Sequence, residues 1–244
     1  MPDAEETLDT LFDGKIKLFQ SRSGYRFSLD ALLLAHFATV KGRDKVIDLG
    51  TGSGVIPLIL ARLHSYVSIT GVEFQPAMTE RARRNIKING LEGRILICQG
   101  DVRSIGAVAP PASVDVAVCN PPYRKAGSGR LSPDDEKQIA RHEIRGELGD
   151  FLSAGALLLR PRGRIALIHL AGRAVDLLSS MRRMGLEPKR LRMVHAHDGA
   201  AAALVLVEGV KSGRSGLEIL PPLIVYRRAK VYSHEVAAMI AGRA

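Results

Sequence analysis

The stretch Lys45-Val46-Ile47-Asp48-Leu49-Gly50-Thr51-Gly52-Ser53-Gly54-Val55-Ile56-Pro57-Leu58-Ile59-Leu60-Ala61 decides how the rest of the chain is read. Its first residues, Lys45 to Asp48, form a short apolar strand that runs into a glycine-rich turn. From Val55 a near-continuous apolar run reads as the start of a buried helix, in which Pro57 is tolerable because it falls in the first turn. A strand, a glycine turn and a helix in that order bring a ligand close to bare backbone N–H groups at a helix N-terminus. The spacing separates this turn from two commoner ones. A dinucleotide fingerprint reads G-x-G-x-x-G, whereas here Gly50, Gly52 and Gly54 are followed by Val55 in the place of the last glycine. No lysine follows in a G-K-[ST] arrangement, which excludes a phosphate-cradling P-loop. Asp48, just ahead of the turn, would repel a pyrophosphate but can pair with the ammonium group of a methionyl moiety.

Two more acids recur after the next strands. Val67 to Val72 reads as a second strand with Glu73 at its carboxyl end, where a carboxylate can accept both hydroxyls of a ribose. Arg94 to Cys98 reads as a third strand, ending at Gln99-Gly100-Asp101, and Asp101 could accept a hydrogen bond from an adenine amino group. Singly, each is an ordinary solvated acid at a strand end. Their regular recurrence raises them above that.

Downstream stands Asn120-Pro121-Pro122-Tyr123. The Asn120 side-chain carbonyl can accept one N–H, and Pro121 and Pro122 offer backbone carbonyls with no competing donor. Asn120 is also held towards an extended conformation because it precedes a proline. Tyr123 supplies a flat face on which an extruded base can rest. An amide-like exocyclic nitrogen is a poor nucleophile, and a site that makes it attack must accept its N–H bonds and aim it. Alone, Asn-Pro-Pro is equally a turn that ends a strand. After the glycine turn it points to methyl transfer from S-adenosylmethionine to a planar nitrogen.

Composition fits a single α/β domain with a substantial core. The chain has 244 residues and 46% apolar content, and no segment approaches an uninterrupted membrane-spanning stretch. The acidic start Met1-Pro2-Asp3-Ala4-Glu5-Glu6 lacks the form of a secretion signal, which gives a cytoplasmic expectation. Cys98 and Cys119 fall in strands expected to be buried, show no metal-ligand spacing and read as core residues of a reducing compartment. No metal is expected. A net charge of +10 suggests a polyanionic partner, with nucleic acid as first choice. Basic residues gather at Lys15, Lys17, Arg22 and Arg26, at Arg124, Lys125 and Arg130, at Arg182, Arg183, Lys189, Arg190 and Arg192, and at Arg227, Arg228 and Lys230.

Along the chain, residues 1–27 form an N-terminal extension in which Phe12, Ile16, Leu18 and Phe19 suggest a hairpin, with a tip that could touch substrate. Residues 28–244 read as the main domain. Leu29 to Val40 reads as a helix capped by Ser28, with Asp30 in its first turn. Strands 45–48, 67–73, 94–98 and 114–119 alternate with helices 55–64 and 76–89 as in a parallel sheet. The polar loop 124–142 is a candidate lid. A helix near 146–159, a strand 163–170, a helix 173–184 and strands near 189–196 and 203–209 follow.

On these residues the chain resembles the class I S-adenosylmethionine-dependent methyltransferases, and its N-P-P-Y form resembles the amino-group methylating subset. More narrowly it resembles the bacterial family that methylates adenine N6 in valine tRNA, at the adenosine just 3′ of the anticodon. The segments that carry this are Tyr25 to Ala35, Asp48 to Pro57, Asn120 to Tyr123, Ala140-Arg141-His142-Glu143, and Gly216 to Leu223 with Tyr226. The resemblance implies a Rossmann-like α/β fold with a mostly parallel, seven-stranded sheet and helices on both faces. It implies that Asp48, Gly50, Gly52 and Gly54 hold the methionyl part of the cofactor, Glu73 the ribose and Asp101 the adenine. Ser28 and Asp30 would help bind or close over it, with Asn120 bordering both cofactor and target. Asn120 and the Pro121 carbonyl would accept from the target amine, with Pro122 beside them and Tyr123 stacking on the ring. His142 would contact RNA or serve only to open a helix. The implied partners are tRNA and the cofactor, with no membrane and no obligate protein partner. Protein-glutamine methyltransferases acting on release factors share N-P-P-Y but usually carry a helical N-terminal domain, for which the residues before Ser28 leave no room. Ribosomal RNA is a further target within the enzyme class. A non-enzymatic RNA-binding subunit is the remaining reading.

Overall fold

The computed structural model describes residues 6–22, 29–122 and 148–243. An antiparallel hairpin of β1 (Glu6–Leu11) and β2 (Ile16–Ser21) and helix α1 (Leu29–Phe37) precede the glycine-turn unit. That unit is β3 (Lys45–Leu49) and α2 (Val55–Leu63), followed by β4 (Ser68–Glu73), α3 (Pro76–Ile88), β5 (Ile95–Gln99), a 3-10 turn at Val102–Ala107 and β6 (Val114–Cys119). After it come α4 (Leu148–Leu158), β7 (Leu159–Leu170), α5 (Ala174–Arg183), β8 (Leu186–His195) and β9 (Ala202–Lys211). The short strands β10 (Glu218–Ile219) and β11 (Leu223–Ile224), the hairpin β12 (Tyr226–Arg228) with β13 (Val231–Tyr232), and α6 (His234–Ile240) complete the described chain.

One sheet of nine strands organises these elements. Its long strands lie in the order β5-β4-β3-β6-β7-β9-β8, the mostly parallel α/β sheet expected. Only the pairings of β9, with β7 and with β8, are antiparallel within it. β10 and β11 pair with successive parts of β8 and extend that edge. Alternation along the strands sends Val46, Val116 and Val118 to one face and Ile47, Leu49, Ala117 and Cys119 to the other. α1, α2, α3 and α6 cover the first face, and α4 and α5 cover the second. Both faces are dry. That is why the parallel strands read as continuous apolar runs rather than alternating ones.

Three boundaries differ from the sequence reading for visible reasons. α1 stops at Phe37 instead of Val40, because the Thr39 N–H and hydroxyl are taken by the buried carboxylate of Glu208 (2.6 and 2.9 Å). β7 begins at Leu159 rather than 163, since Arg162 at φ 67° makes a bulge that lets Leu159 pair with Val114. β8 begins at Leu186, where it already faces Lys211 of β9.

The hairpin is fastened to α3 by asparagines that imitate a strand edge. Asn85 Oδ1 accepts from the Phe19 N–H (2.6 Å) while its Nδ2 donates to the carbonyls of Phe19 (3.2 Å) and Ser53 (2.9 Å). Asn89 repeats the pattern one helical turn on, with the N–H and carbonyl of Lys17. Glu6, buried, is shared by Arg81 (2.7 Å) and Arg84 (2.6 Å) of the same helix. The hairpin tip is seated as well: Phe12 is buried and its N–H donates to the Ile240 carbonyl (3.2 Å). Because Asn85 also holds Ser53, one side chain ties hairpin, helix and glycine turn together. Asn85→Ala leaves the three backbone groups it serves without partners and is expected to lower unfolding free energy by about 2–4 kcal/mol, read by urea denaturation.

Candidate active site

Strand order reverses between β3 and β6, since β4 and β5 are laid down on one side of β3 and β6 on the other. In open α/β sheets the ligand crevice lies at such a switch point, beyond the carboxyl ends of the strands. Asp48 pairs in register with Val118, and Leu49 with Cys119. Gly50 and Asn120, the next residue on each strand, therefore emerge side by side. The structure brings the two sequence motifs into one crevice.

The turn is built by three glycines in the left-handed region, Gly50 (φ 73°), Gly52 (φ 58°) and Gly54 (φ 81°). At Gly50 there is no room either: a Cβ would stand 2.9 Å from Phe151 Cε1 of α4. Four N–H groups of this turn are already taken within the protein, a support that the sequence reading did not anticipate. Gly50 and Thr51 donate to the Val72 carbonyl (2.9 Å each), Gly52 to Glu73 Oε2 (2.9 Å) and Gly54 to the Thr51 carbonyl (3.0 Å). A turn with most of its donors committed to its own scaffold is poorly suited to cradle a phosphate. What it leaves at the crevice is negative.

Asp48 is that negative group. It is fully buried, and neither carboxylate oxygen has a hydrogen-bond partner among the described residues. Burial pushes its pKa up to about 7, the neighbouring Thr51 hydroxyl offsets part of the shift, and Glu73 adds repulsion. A buried acid in that state calls for a cation or a donor that the described residues do not supply. Glu73 ends β4 and is also buried, with Oε1 accepting from the Gln75 N–H (2.9 Å). Each of its oxygens carries one bond from the backbone and keeps a lone pair.

Asp101 follows β5 and caps the 3-10 turn by accepting from the Arg103 N–H (2.9 Å). The Arg103 guanidinium spans both its oxygens (3.0 Å each from Nε) and holds the carboxyl below its ordinary range. Sequence reading missed this partner, although an i, i+2 Asp-x-Arg after a strand is its signal. Asp30 lies half-buried in the first turn of α1. Asn120 and Pro122 are half-buried and Pro121 is buried. Ser28, Tyr123, the loop 124–142 and Arg141-His142-Glu143 lie outside the described residues. Cys119 is fully buried, and burial beside Asp48 pushes its thiol far up, so it stays a core residue. Cys98 is only half-buried, because β5 is an edge strand.

A protein of Tolumonas auensis named tRNA1(Val) (adenine(37)-N6)-methyltransferase is 31% identical to this chain over 189 residues, 77% of each chain. The chain belongs to that family. A relative of the same name from Porphyromonas gingivalis is 32% identical over 164 residues, 65% of this chain and 64% of its own. The Methyltransferase small domain family matches residues 29–135. Among solved structures, an Agrobacterium tumefaciens protein described as a predicted O-methyltransferase superposes with a TM-score of 0.72 at 22% identity, over 88% of this chain and 97% of that one, a likeness of fold. This methyltransferase uses S-adenosylmethionine as its cofactor. The crevice fits that molecule: its methionyl ammonium is the kind of cation that buried Asp48 lacks among the described residues.

Asp48 gives the enzyme a pH signature. Between about pH 4 and pH 7 the unfolded chain has Asp48 ionised while the folded, ligand-free protein keeps it protonated. The stability this group contributes is therefore present below about pH 4 and lost as pH rises to about 7. Asp48→Asn is expected to remove that slope and to make the ligand-free protein more stable at pH 8 by about 2 kcal/mol. Denaturant titrations of both proteins across pH 4–8 check it.

Proposed function

We propose that the enzyme methylates the exocyclic N6 amine of adenosine in RNA, at adenosine 37 beside the anticodon of valine tRNA. The observation that carries this reading is the in-register pairing of β3 with β6, which sets Asn120-Pro121-Pro122 against the glycine turn. The names of the relatives support the base, the position and the tRNA.

The chain's own groups suffice for the protein's share of the reaction. Asp48 holds the methionyl ammonium, and Glu73 takes the ribose hydroxyls with the lone pairs its backbone bonds leave. Asp101 accepts from the cofactor adenine as the Arg103 guanidinium, which engages both of its oxygens in the ligand-free protein, yields one of them. When bound, S-adenosylmethionine supplies an electrophilic methyl on a sulfonium. Asn120 Oδ1 and the Pro121 carbonyl accept the two N–H bonds of the target amine, which concentrates electron density on nitrogen and aims it at that methyl. Proline at positions 121 and 122 leaves no backbone N–H there to compete for the amine's lone pair. No residue has to remove a proton beforehand, because the amine becomes acidic only as the new N–C bond forms. Tyr123 stacks on the flipped ring, and Ser28 and Asp30 close the cofactor side.

Purified protein, S-adenosylmethionine and unmodified bacterial tRNA transcripts, with mass spectrometry of the digested nucleosides, test the assignment. The expected product is N6-methyladenosine confined to valine tRNA. Bound cofactor with no methylated tRNA nucleoside would redirect the search to ribosomal RNA or a protein glutamine. Asn120→Ala is expected to slow transfer by about a hundredfold or more while the cofactor dissociation constant, read by calorimetry, changes by less than about threefold. Loss of cofactor binding in that variant would remove Asn120 from its assigned role.

A further inference from the structure

Sequence reading assigned no element after residue 209, so the β12–β13 hairpin and α6, with β10 and β11 before them, enter only with the structure. Their position follows from strand register. Cys119 pairs with Leu167, Leu167 with Val207, and Val207 with Leu191, so these residues mark one level across β6, β7, β9 and β8. β7 continues past that level to Leu170, and β8 continues to His195. At about 3.3 Å per residue, β7 runs about 10 Å and β8 about 13 Å beyond the level at which β6 ends. β11 follows β8 to the same height, with Leu223 opposite Val194 and Ile224 opposite His195. The hairpin then starts from this raised edge: the Val225 and Tyr226 N–H groups donate to the His195 and Ala196 carbonyls (2.9 Å each). With neighbouring strands roughly 4.8 Å apart, β8 lies about 14 Å to one side of Asn120. The hairpin stands on the carboxyl edge of the sheet, the edge at which Asn120 emerges, on the side of Asn120 away from β3.

Its surface is aromatic and basic. Tyr226 and Tyr232 stack across the two strands with centroids 5.2 Å apart and planes 19° apart, and His197 lies against Tyr226 at 5.6 Å. The stack ends in Tyr232, which is 38% exposed. Arg227, Arg228 and Lys230 are exposed, and none pairs with a carboxylate among the described residues; Arg227 meets His234 (2.8 Å) instead. Glu235, the acid that opens α6, is held by the Arg192 guanidinium (2.5 and 2.8 Å) and does not cancel this charge. Open cations beside an aromatic stack that ends in an accessible ring make a surface for nucleic acid: phosphates meet the cations, and an unstacked base extends the rings. A purely structural cap on the sheet edge would need neither the three exposed cations, which have no carboxylate partner among the described residues, nor the exposed ring.

We propose that the β12–β13 hairpin is an RNA-contacting surface that holds the nucleotides flanking the target adenosine. Tyr232 carries a base, and Arg227, Arg228 and Lys230 carry backbone phosphates. The inference rests on the reading of RNA as the substrate. It adds the place where that RNA lies, across the β8 side of the crevice.

Fluorescence anisotropy with a labelled valine tRNA transcript, run over a salt series on the full chain, tests it. The variants are wild type, R227A/R228A/K230A and Tyr232→Ala, with cofactor affinity and thermal midpoint measured on each. The triple variant is expected to bind RNA at least tenfold more weakly at low salt. Its log–log salt slope should be shallower by about 2, as loss of three phosphate contacts to a single strand requires. Tyr232→Ala is expected to weaken binding about tenfold with the wild-type slope. Cofactor affinity and thermal midpoint should stay at wild-type values. RNA binding within twofold of wild type in both variants overturns the hairpin surface and leaves the RNA reading standing. A lowered midpoint with unchanged RNA binding makes the hairpin a structural cap and also overturns the inference. A wild-type protein that binds cofactor but no RNA at any salt overturns the substrate reading, and the hairpin surface falls with it.

Discussion

The parallel pairing of β3 with β6 is the constraint on which the site depends. Two motifs far apart in the chain have no local reason to meet, and everything chemical here requires that they do. Register settles it: Leu49 lies opposite Cys119, so the strands end together and Gly50 emerges beside Asn120. Slipping β6 by one residue would turn Ala117 and Cys119 out of one packed face and Val116 and Val118 out of the other. The apolar cores on both faces therefore hold the register, and the register holds the crevice.

The glycine turn spends its donors on its own support, and this explains how an acid-lined site survives folding. Val72 and Glu73 at the end of β4 take the N–H groups of Gly50, Thr51 and Gly52, and Asn85 takes the Ser53 carbonyl. These bonds brace the backbone there from within the protein. The electrostatic cost is concentrated in Asp48, which sits buried, partnerless and next to a second carboxylate. Such a group destabilises the ligand-free protein and rewards a cation entering the crevice, so the same residue lowers stability and sharpens affinity.

Much of this was legible in the sequence because the signals were local. Glycine spacing, the proline in the first turn of α2 and the apolar runs of buried parallel strands each report on residues a few positions apart. The part that was not legible depends on partners distant in sequence. Nothing near Thr39 says that Glu208 will end α1 early, and nothing near Asn85 says that it will dress α3 as a strand edge for β2. The support of the turn's N–H groups was not anticipated because their acceptor, Val72, belongs to a different strand. The strands β10 to β13 are two or three residues long, too short to show a period, and β10 and β11 exist only because β8 offers them an edge.

The antiparallel insertion of β9 has a consequence for the shape of the crevice. In a wholly parallel sheet each strand would need a crossover helix, and those helices would crowd the faces beyond β7. β9 instead returns directly from β8 to lie between it and β7, and the chain comes out at the amino edge before β10 and β11 climb β8 again. This route delivers the β12–β13 hairpin to the carboxyl edge, on the side of Asn120 away from Glu73 and Asp101. Asp48, Glu73 and Asp101 thus lie on the β3-β4-β5 side, and the exposed cations Arg227, Arg228 and Lys230 on the β8 side. A sheet that separates the two charges by its strand order can receive a cationic sulfonium from one direction and a polyanion from the other.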